Sequence, residues 1–155
     1  MTNLKHARSA FTLIEVLIVV IIMAILAATI IPQFSSSTTD AKMSSLKFNL
    51  HTIRSQIEMY KVHHNGKVPA LNTFKDQMTK PTDVNGNTEG ENLIYGPYFQ
   101  GDIPINPFNN SNAIAAVENP GQEPTGIVSG GAGWQYDEST GGFYPNNTEY
   151  YQQQQ

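Results

Sequence analysis

The sequence predicts an α+β fold in which one long N-terminal helix packs on a small antiparallel β-sheet. Three observations lead to this prediction. Residues 11–31 are almost entirely apolar, residues 43–60 repeat apolar side chains at helical spacing, and residues 134–145 place aromatic residues on both sides of a turn. The chain has 155 residues, which is enough for one domain with a modest core.

Composition excludes several classes of function. The net charge is −4 and the sequence has no run of Lys or Arg, which argues against nucleic acid as a partner. The chain has no cysteine, so it has neither a disulfide scaffold nor thiolate chemistry. His51, His63 and His64 are metal candidates by type alone, because His63 and His64 are adjacent and lack the i,i+4 spacing of helical ligands. No enzyme activity and no cofactor are predicted.

The first 31 residues predict a membrane segment behind a short polar start. Residues 1–10 contain Lys5 and Arg8, and residues 11–31 contain one charged side chain, Glu15. A helix of about 20 residues crosses the hydrocarbon core of a bilayer. Basic residues before such a segment favour a cytoplasmic N-terminus, so the rest of the chain would lie outside the membrane.

Hydropathy leaves two other interpretations open. One is a secretory signal peptide cut near Ala28, and the other is a plain signal anchor that holds an exported domain. Glu15 argues against both, because a carboxylate inside a membrane segment costs about 2.5–3.5 kcal/mol and usually has a partner and a function. Alternatively, Glu15 lies close enough to the start of the apolar segment for its side chain to reach the interface.

Residues 9–16, Ser-Ala-Phe-Thr-Leu-Ile-Glu-Val, resemble the processing motif of type IV prepilins and pseudopilins. The resemblance continues through the apolar segment to Pro32. It implies that a dedicated membrane peptidase removes residues 1–10 as a leader, by cutting between Ala10 and Phe11, and methylates the new amine of Phe11. The family usually has Gly where this chain has Ala10. The resemblance also implies that Glu15 is the glutamate of recognition and assembly.

The helix is expected to continue beyond the membrane as an amphipathic segment, residues 32–66. Pro32 predicts a kink, because the helical pattern resumes directly after it. Gly66 follows Asn65 as a C-cap. One face of this segment should pack on the C-terminal domain, and its residues are Met43, Leu46, Leu50, Ile53, Ile57 and Tyr60.

A sparser apolar set lies on the opposite side of the same segment, at about 200° from the main stripe. Its members are Phe48, Met59 and Val62. They either face other subunits in a filament core or are ordinary exposed side chains.

Residues 67–155 are expected to form a small globular β domain. Leu71 to Met78 predicts a turn or two of helix, capped by Asn72 or Thr73. The remaining expectations are extended pieces at 93–99 and 102–108, irregular structure at 109–132, and a β-hairpin with arms at 134–137 and 142–145. The stretch from Tyr95 to Phe108, together with the hairpin, resembles the C-terminal part of major pseudopilins of type II secretion systems.

This second resemblance raises the question of calcium, because such pseudopilins commonly hold a structural calcium ion in a C-terminal loop. The acids available nearby are Asp102, Asp137 and Glu138, and calcium favours oxygen ligands. The alternative is that Asp137 and Glu138 simply solvate the hairpin turn.

The function predicted from these resemblances is structural. The chain is expected to be a subunit of a type II secretion pseudopilus, a periplasmic filament that helps export folded proteins. The implied partners are other copies of the chain, the prepilin peptidase, the inner-membrane assembly platform, minor pseudopilins and the lipid bilayer. The alternatives are a type IV pilus subunit for adhesion, motility or DNA uptake, and a membrane-anchored binding module that never polymerises.

Overall fold

The computed structural model describes residues 11–153, apart from the side chains of residues 29–36. The predicted leader, with Ala10, lies outside the described residues. The described elements are helix α1 (Leu13–His63), a 3₁₀ turn (Leu71–Thr73), helix α2 (Phe74–Thr79), strands β1 (Ile114–Ala116), β2 (Trp134–Asp137) and β3 (Gly142–Pro145), and helix α3 (Thr148–Gln152).

The chain divides into two units, Met1–Asp40 and Ala41–Gln155, and the boundary falls inside α1. The first unit contains the apolar part of the helix. The second unit contains the rest of α1 and every other described element. Pro32 lies among the residues whose side chains are not described, and the kink predicted there stays a prediction.

The end of α1 is closed by backbone hydrogen bonds. Asn65 and Gly66 both have positive φ, 56° and 81°. The Gly66 N–H donates to the Lys61 carbonyl at 2.8 Å, which is the long bond of a Schellman motif. Gly66 was expected to end the helix, and Asn65 takes the left-handed position directly before it. Asn tolerates this conformation better than most residues, since its short polar side chain can bond locally.

The core of the second unit forms where α1 meets α2 and the hairpin. All six residues of the predicted α1 stripe are buried, and Leu46, Ile53 and Ile57 have no exposed surface. They cluster with aromatic and sulfur side chains from the other elements, among them Phe74, Met78, Trp134, Tyr136 and Phe143. Burial of one such side chain stabilises the fold by about 1.5–3 kcal/mol. The prediction of a core-facing stripe on α1 is confirmed.

The sheet has the order β1-β2-β3 and mixed pairing. β2 and β3 are antiparallel, with Trp134 opposite Pro145, and form the predicted hairpin. β1 runs parallel to β2, with Ile114 opposite Trp134. The prediction of a fully antiparallel sheet is therefore wrong, as is the prediction of irregular structure throughout 109–132. The connection at residues 117–133 is long enough to return the chain for a parallel pair, whereas the short turn after β2 permits only an antiparallel one.

Candidate functional site

The start of α1 is a capping box formed by Thr12 and Glu15. The Thr12 N–H and the Thr12 hydroxyl both donate to Glu15 Oε2, at 2.8 Å each. In return, the Glu15 N–H donates to Thr12 Oγ1 at 3.3 Å. This reciprocal pattern satisfies two N–H groups that a helix start otherwise leaves unpaired. The role of Thr12 was not among the predictions, although Thr-x-x-Glu before an apolar segment is the sequence signature of this motif.

The capping box holds the Glu15 carboxylate at the start of α1, beside Thr12. Negative charge in the first turn is favoured by the helix dipole. Only Oε2 accepts the bonds from Thr12, so Oε1 is left for a further donor. Phe11 itself is exposed and lies immediately before the capping residue. The arrangement places the carboxylate of Glu15 within about one helical turn of Phe11.

The first part of α1 exposes apolar side chains on all sides. From Leu13 to Leu26 its large apolar residues are between 47% and 85% exposed. Across the described part of the chain, the structure contains no helix that is both long and apolar enough to cross a membrane. The span predicted for residues 11–31 includes residues 29–31, whose side chains are not described, and it stays a prediction.

Three further apolar side chains of α1 are exposed in the second unit. Phe48 and Val62 are 71% and 76% exposed, and Met59 is also on the surface. These are the residues that the helical wheel placed opposite the core stripe. Their exposure is as expected, and their contact with other subunits stays a prediction.

His63 and His64 belong to the packing between α1 and the loop around Tyr95 and Tyr98. His64 is fully buried, stacks on Tyr60 at 3.7 Å, and has Nδ1 2.7 Å from the Tyr60 carbonyl. Since that carbonyl can only accept, Nδ1 carries the proton. His63 Nδ1 lies 3.0 Å from the Tyr98 hydroxyl. Burial, with smaller effects from neighbouring groups, raises the pKa of Tyr60 to about 12, so its phenol stays neutral.

The three predicted calcium acids each have a protein partner. Asp102 accepts from Lys75 Nζ at 2.7 Å, and this bond lowers the pKa of Asp102. Glu138 Oε2 accepts from the Leu71 N–H at 3.2 Å. The described residues hold no group of three or more His, Cys, Asp or Glu side chains that could bind a metal ion. In this arrangement the three acids do not fit a shared calcium site, and calcium binding stays a prediction.

Asp137 organises the hairpin turn and the loop before it. Oδ1 accepts from the Ser139 N–H at 2.9 Å and from the Ser139 hydroxyl, and Oδ2 accepts from the Gly121 N–H at 2.7 Å. Burial acts to raise the pKa of Asp137, but these bonds together outweigh it and hold the pKa below its ordinary value. The residue is 1% exposed, so the role of Asp137 in the structure is to support the turn and the loop from within rather than to solvate the turn.

Comparison with known proteins gives one match to the N-terminal motif and several matches to most of the chain. A family model described as the prokaryotic N-terminal methylation motif matches residues 5–31. The type II secretion system core protein G of Pseudomonas aeruginosa is 30% identical over 128 residues, covering 83% of this chain and 86% of that protein. The protein of the same name from Aeromonas hydrophila is 29% identical over 119 residues, covering 76% and 78%.

A different class of filament protein also matches over part of the chain. The type IV major pilin protein PilE1 of Neisseria gonorrhoeae is 34% identical over 79 residues, covering 51% of this chain and 47% of that protein. No solved structure matches the chain.

Proposed function

The chain belongs to the family of type II secretion system core protein G, the major pseudopilins, and we propose that it is the repeating structural subunit of a type II secretion pseudopilus. Its role in this proposal is assembly, with no catalytic step. The filament would grow in the periplasm and help to export folded proteins.

The observation that carries the proposal is the uncovered apolar surface of α1 in the first unit. A helix that is apolar all round must be buried, either in a bilayer or inside a protein assembly. The large apolar side chains from Leu13 to Ile25 remain about half or more exposed in the described part of the chain. Copies of the same helix would cover one another in a filament core, and the bilayer would cover them before assembly.

Glu15 has a defined part in this assembly. Cleavage between Ala10 and Phe11 would leave an amine on Phe11, one residue before the capping Thr12. In an apolar filament core an unpaired charge is costly, whereas a carboxylate and an amine in contact attract strongly. Oε2 of Glu15 stays bonded to Thr12 in the cap. Oε1 would accept a hydrogen bond from the Phe11 amine of a neighbouring copy. The pair then fixes the axial register of the two helices.

The remaining partners follow from this role. The prepilin peptidase would cut and methylate the N-terminus, and an inner-membrane platform with minor pseudopilins would add subunits to the filament. Lys5 and Arg8 would keep the leader on the cytoplasmic side of the inner membrane, so that the second unit lies in the periplasm.

The experiment combines mass spectrometry with filament recovery from cells that carry an active prepilin peptidase. We expect a mature chain that begins at N-methyl-Phe11, and sheared or pelleted filaments that contain it. Glu15→Ala should lose the filaments, while the matched variant Glu58→Ala should keep them, because Glu58 is exposed and forms a surface pair with Lys61. Filaments at the wild-type level from Glu15→Ala would refute the assembly role of Glu15.

The second candidate is a type IV pilus subunit, which the partial match to PilE1 favours. Deletion of the gene distinguishes the two functions. Loss of protein secretion with unchanged surface pili supports the pseudopilus, and loss of pili with normal secretion supports the pilus. A single monomeric population in crosslinked cells would reject both and leave an anchored binding module.

A further inference from the structure

A shallow basic groove runs beside α1 in the second unit. Lys47, His51 and Arg54 follow one another at i, i+4 and i+7, so they lie on one side of the helix. With Leu50, Tyr150 and Gln153 they line a groove of about 300 Å³ between α1 and α3. Lys47, His51 and Arg54 are exposed.

Neither Lys47 nor Arg54 forms an ion pair within the described part of the chain. The described ion pairs are Lys61–Glu58, Lys75–Asp102 and Lys80–Asp76, and none involves the groove. Arg54 is held in place instead by neutral groups. Its Nε donates to the Phe143 carbonyl at 2.8 Å, and its guanidinium lies 5.4 Å from the centre of the Tyr144 ring. The remaining guanidinium donors stay available for an anionic group.

An acidic loop provides the complementary charge. Residues 83–91 contain Asp83, Glu89 and Glu91 and no Lys or Arg. Asp83 is occupied within the loop, where its carboxylate accepts from the N–H groups of Asn85 and Asn87. Glu89 and Glu91 are exposed. Neither has a hydrogen bond or an ion pair in the part of the chain that the structure describes.

The groove and the loop lie on opposite sides of α1. The loop is closed at its base by the pairing of Thr82 with Tyr95, and Tyr95 stacks on His63 at 4.9 Å. His63 and Arg54 are nine residues apart, which at 3.6 residues per turn places them about 180° apart around the helix. The acids therefore cannot fold back into the groove of their own copy without crossing the helix.

We propose that the basic groove of one copy receives the acidic loop of the next copy, with Glu89 or Glu91 paired to Lys47 and Arg54. The proposal rests on the filament function above and names one of its contacts. Two different complementary surfaces on one chain form a heterologous interface, which repeats from copy to copy and generates a filament rather than a closed dimer. Such charges set the register and the choice of partner more than the affinity.

Cysteine crosslinking tests the contact directly, because the natural chain has no cysteine. Lys47→Cys is combined with Glu89→Cys or Glu91→Cys in the full chain, and the cells are treated with a short bismaleimide. A heterologous contact predicts a ladder of dimers, trimers and longer products from at least one double variant, and no ladder from the single variants. Lys67→Cys combined with Glu118→Cys is the matched control and should stay monomeric.

Charge reversal gives an independent readout. Lys47→Glu should lower the recovered filament by about tenfold, because it places like charges opposite each other. Combination with Glu89→Lys or with Glu91→Lys should restore the filament, whereas combination with Glu118→Lys should not. Two results would overturn the contact and leave the filament function standing. One is normal wild-type filaments with no ladder from either double variant. The other is rescue of Lys47→Glu by Glu118→Lys and by neither Glu89→Lys nor Glu91→Lys. Absence of wild-type filaments would instead refute the proposed function.

Discussion

Replacement of Asp137 by Asn should weaken the link between the β2–β3 hairpin and the loop before β2. The Asp137 carboxylate is almost completely buried and accepts from the Gly121 N–H, the Ser139 N–H and the Ser139 hydroxyl. Asn keeps the shape but has one oxygen and one NH₂ group. If the oxygen continues to face Ser139, the NH₂ group faces the Gly121 N–H, and two donors then oppose each other.

The expected loss follows from the bonds that are broken. A buried donor without an acceptor costs about 1–3 kcal/mol, and hydrogen bonds to a charged group contribute about 1.5–3 kcal/mol each. We therefore expect Asp137→Asn to lower the free energy of unfolding by about 2 kcal/mol at pH 7. With a denaturant slope of about 2 kcal/mol per molar urea, the unfolding midpoint falls by about 1 M.

The fluorescence of Trp134 allows the shift of the unfolding midpoint to be measured in the full chain held in detergent. Trp134 is the sole tryptophan of the sequence and is fully buried in the core, so its fluorescence reports unfolding of the second unit. Asp76→Asn is the matched control. It makes the same chemical change in an exposed pair with Lys80 and should alter the free energy of unfolding by less than about 0.5 kcal/mol. Equal midpoints for the two variants would refute the role of Asp137.

The same variants carry a pH test. The pKa of Asp137 lies below its ordinary value in the folded chain, so the unfolded chain takes up the proton first as the pH falls. The contribution of the Asp137 charge to the free energy of unfolding is present above the ordinary pKa of an aspartate, near 3.8. It is lost as the pH falls through the pKa of Asp137 in the folded chain. The difference in the free energy of unfolding between wild type and Asp137→Asn should decrease from pH 7 to about pH 3. A constant gap would show that the charge is not what stabilises the junction.

Calcium can be tested on the same samples. If Asp137 were a ligand, millimolar calcium would raise the unfolding midpoint of the wild type and leave that of Asp137→Asn unchanged. Since its oxygens already accept hydrogen bonds from the chain, we expect no calcium-dependent difference between the two proteins.

Three further substitutions test other parts of the structure. Ile57→Ala should lower the free energy of unfolding by about 2–5 kcal/mol, because Ile57 is fully buried. Val62→Ala, on the exposed side of α1, should change it by less than about 0.5 kcal/mol. Equal urea midpoints for the two variants would contradict the assignment of the buried face of α1. Gly133→Ala should prevent stable folding, because a Cβ there would clash with the backbone carbonyl of Ser111. Gly126→Ala should fold, because a Cβ there meets open space. Comparable yield and melting temperature for the two variants would contradict the clash at Gly133. Thr12→Ala should cost the start of α1 about 1 kcal/mol and speed amide exchange in its first turn; unchanged exchange would show that the capping box is dispensable.

The sequence alone determined the features that depend on neighbouring residues. The string from Phe11 to Glu15 identified the family, and the 3, 4, 3, 4, 3 spacing from Met43 to Tyr60 identified the buried face of α1. The hairpin from Trp134 to Pro145 was also predicted, because both arms and the turn lie within a short stretch. These patterns are local, so helical and strand periodicity is enough to recognise them.

Tertiary structure decided the features that depend on residues far apart in the chain. Ile114–Ala116 is a strand only because β2 offers it a parallel edge, and nothing in its Gly- and Asn-rich surroundings indicates this. Asp137 was predicted as a metal ligand or a solvated acid, whereas the loop brings the Gly121 N–H to its carboxylate. The fold also separates the groove that contains Lys47 from the acidic loop at residues 83–91, whose base packs on the other side of α1. Such pairings depend on which distant groups the fold brings together, and only the folded chain contains that information.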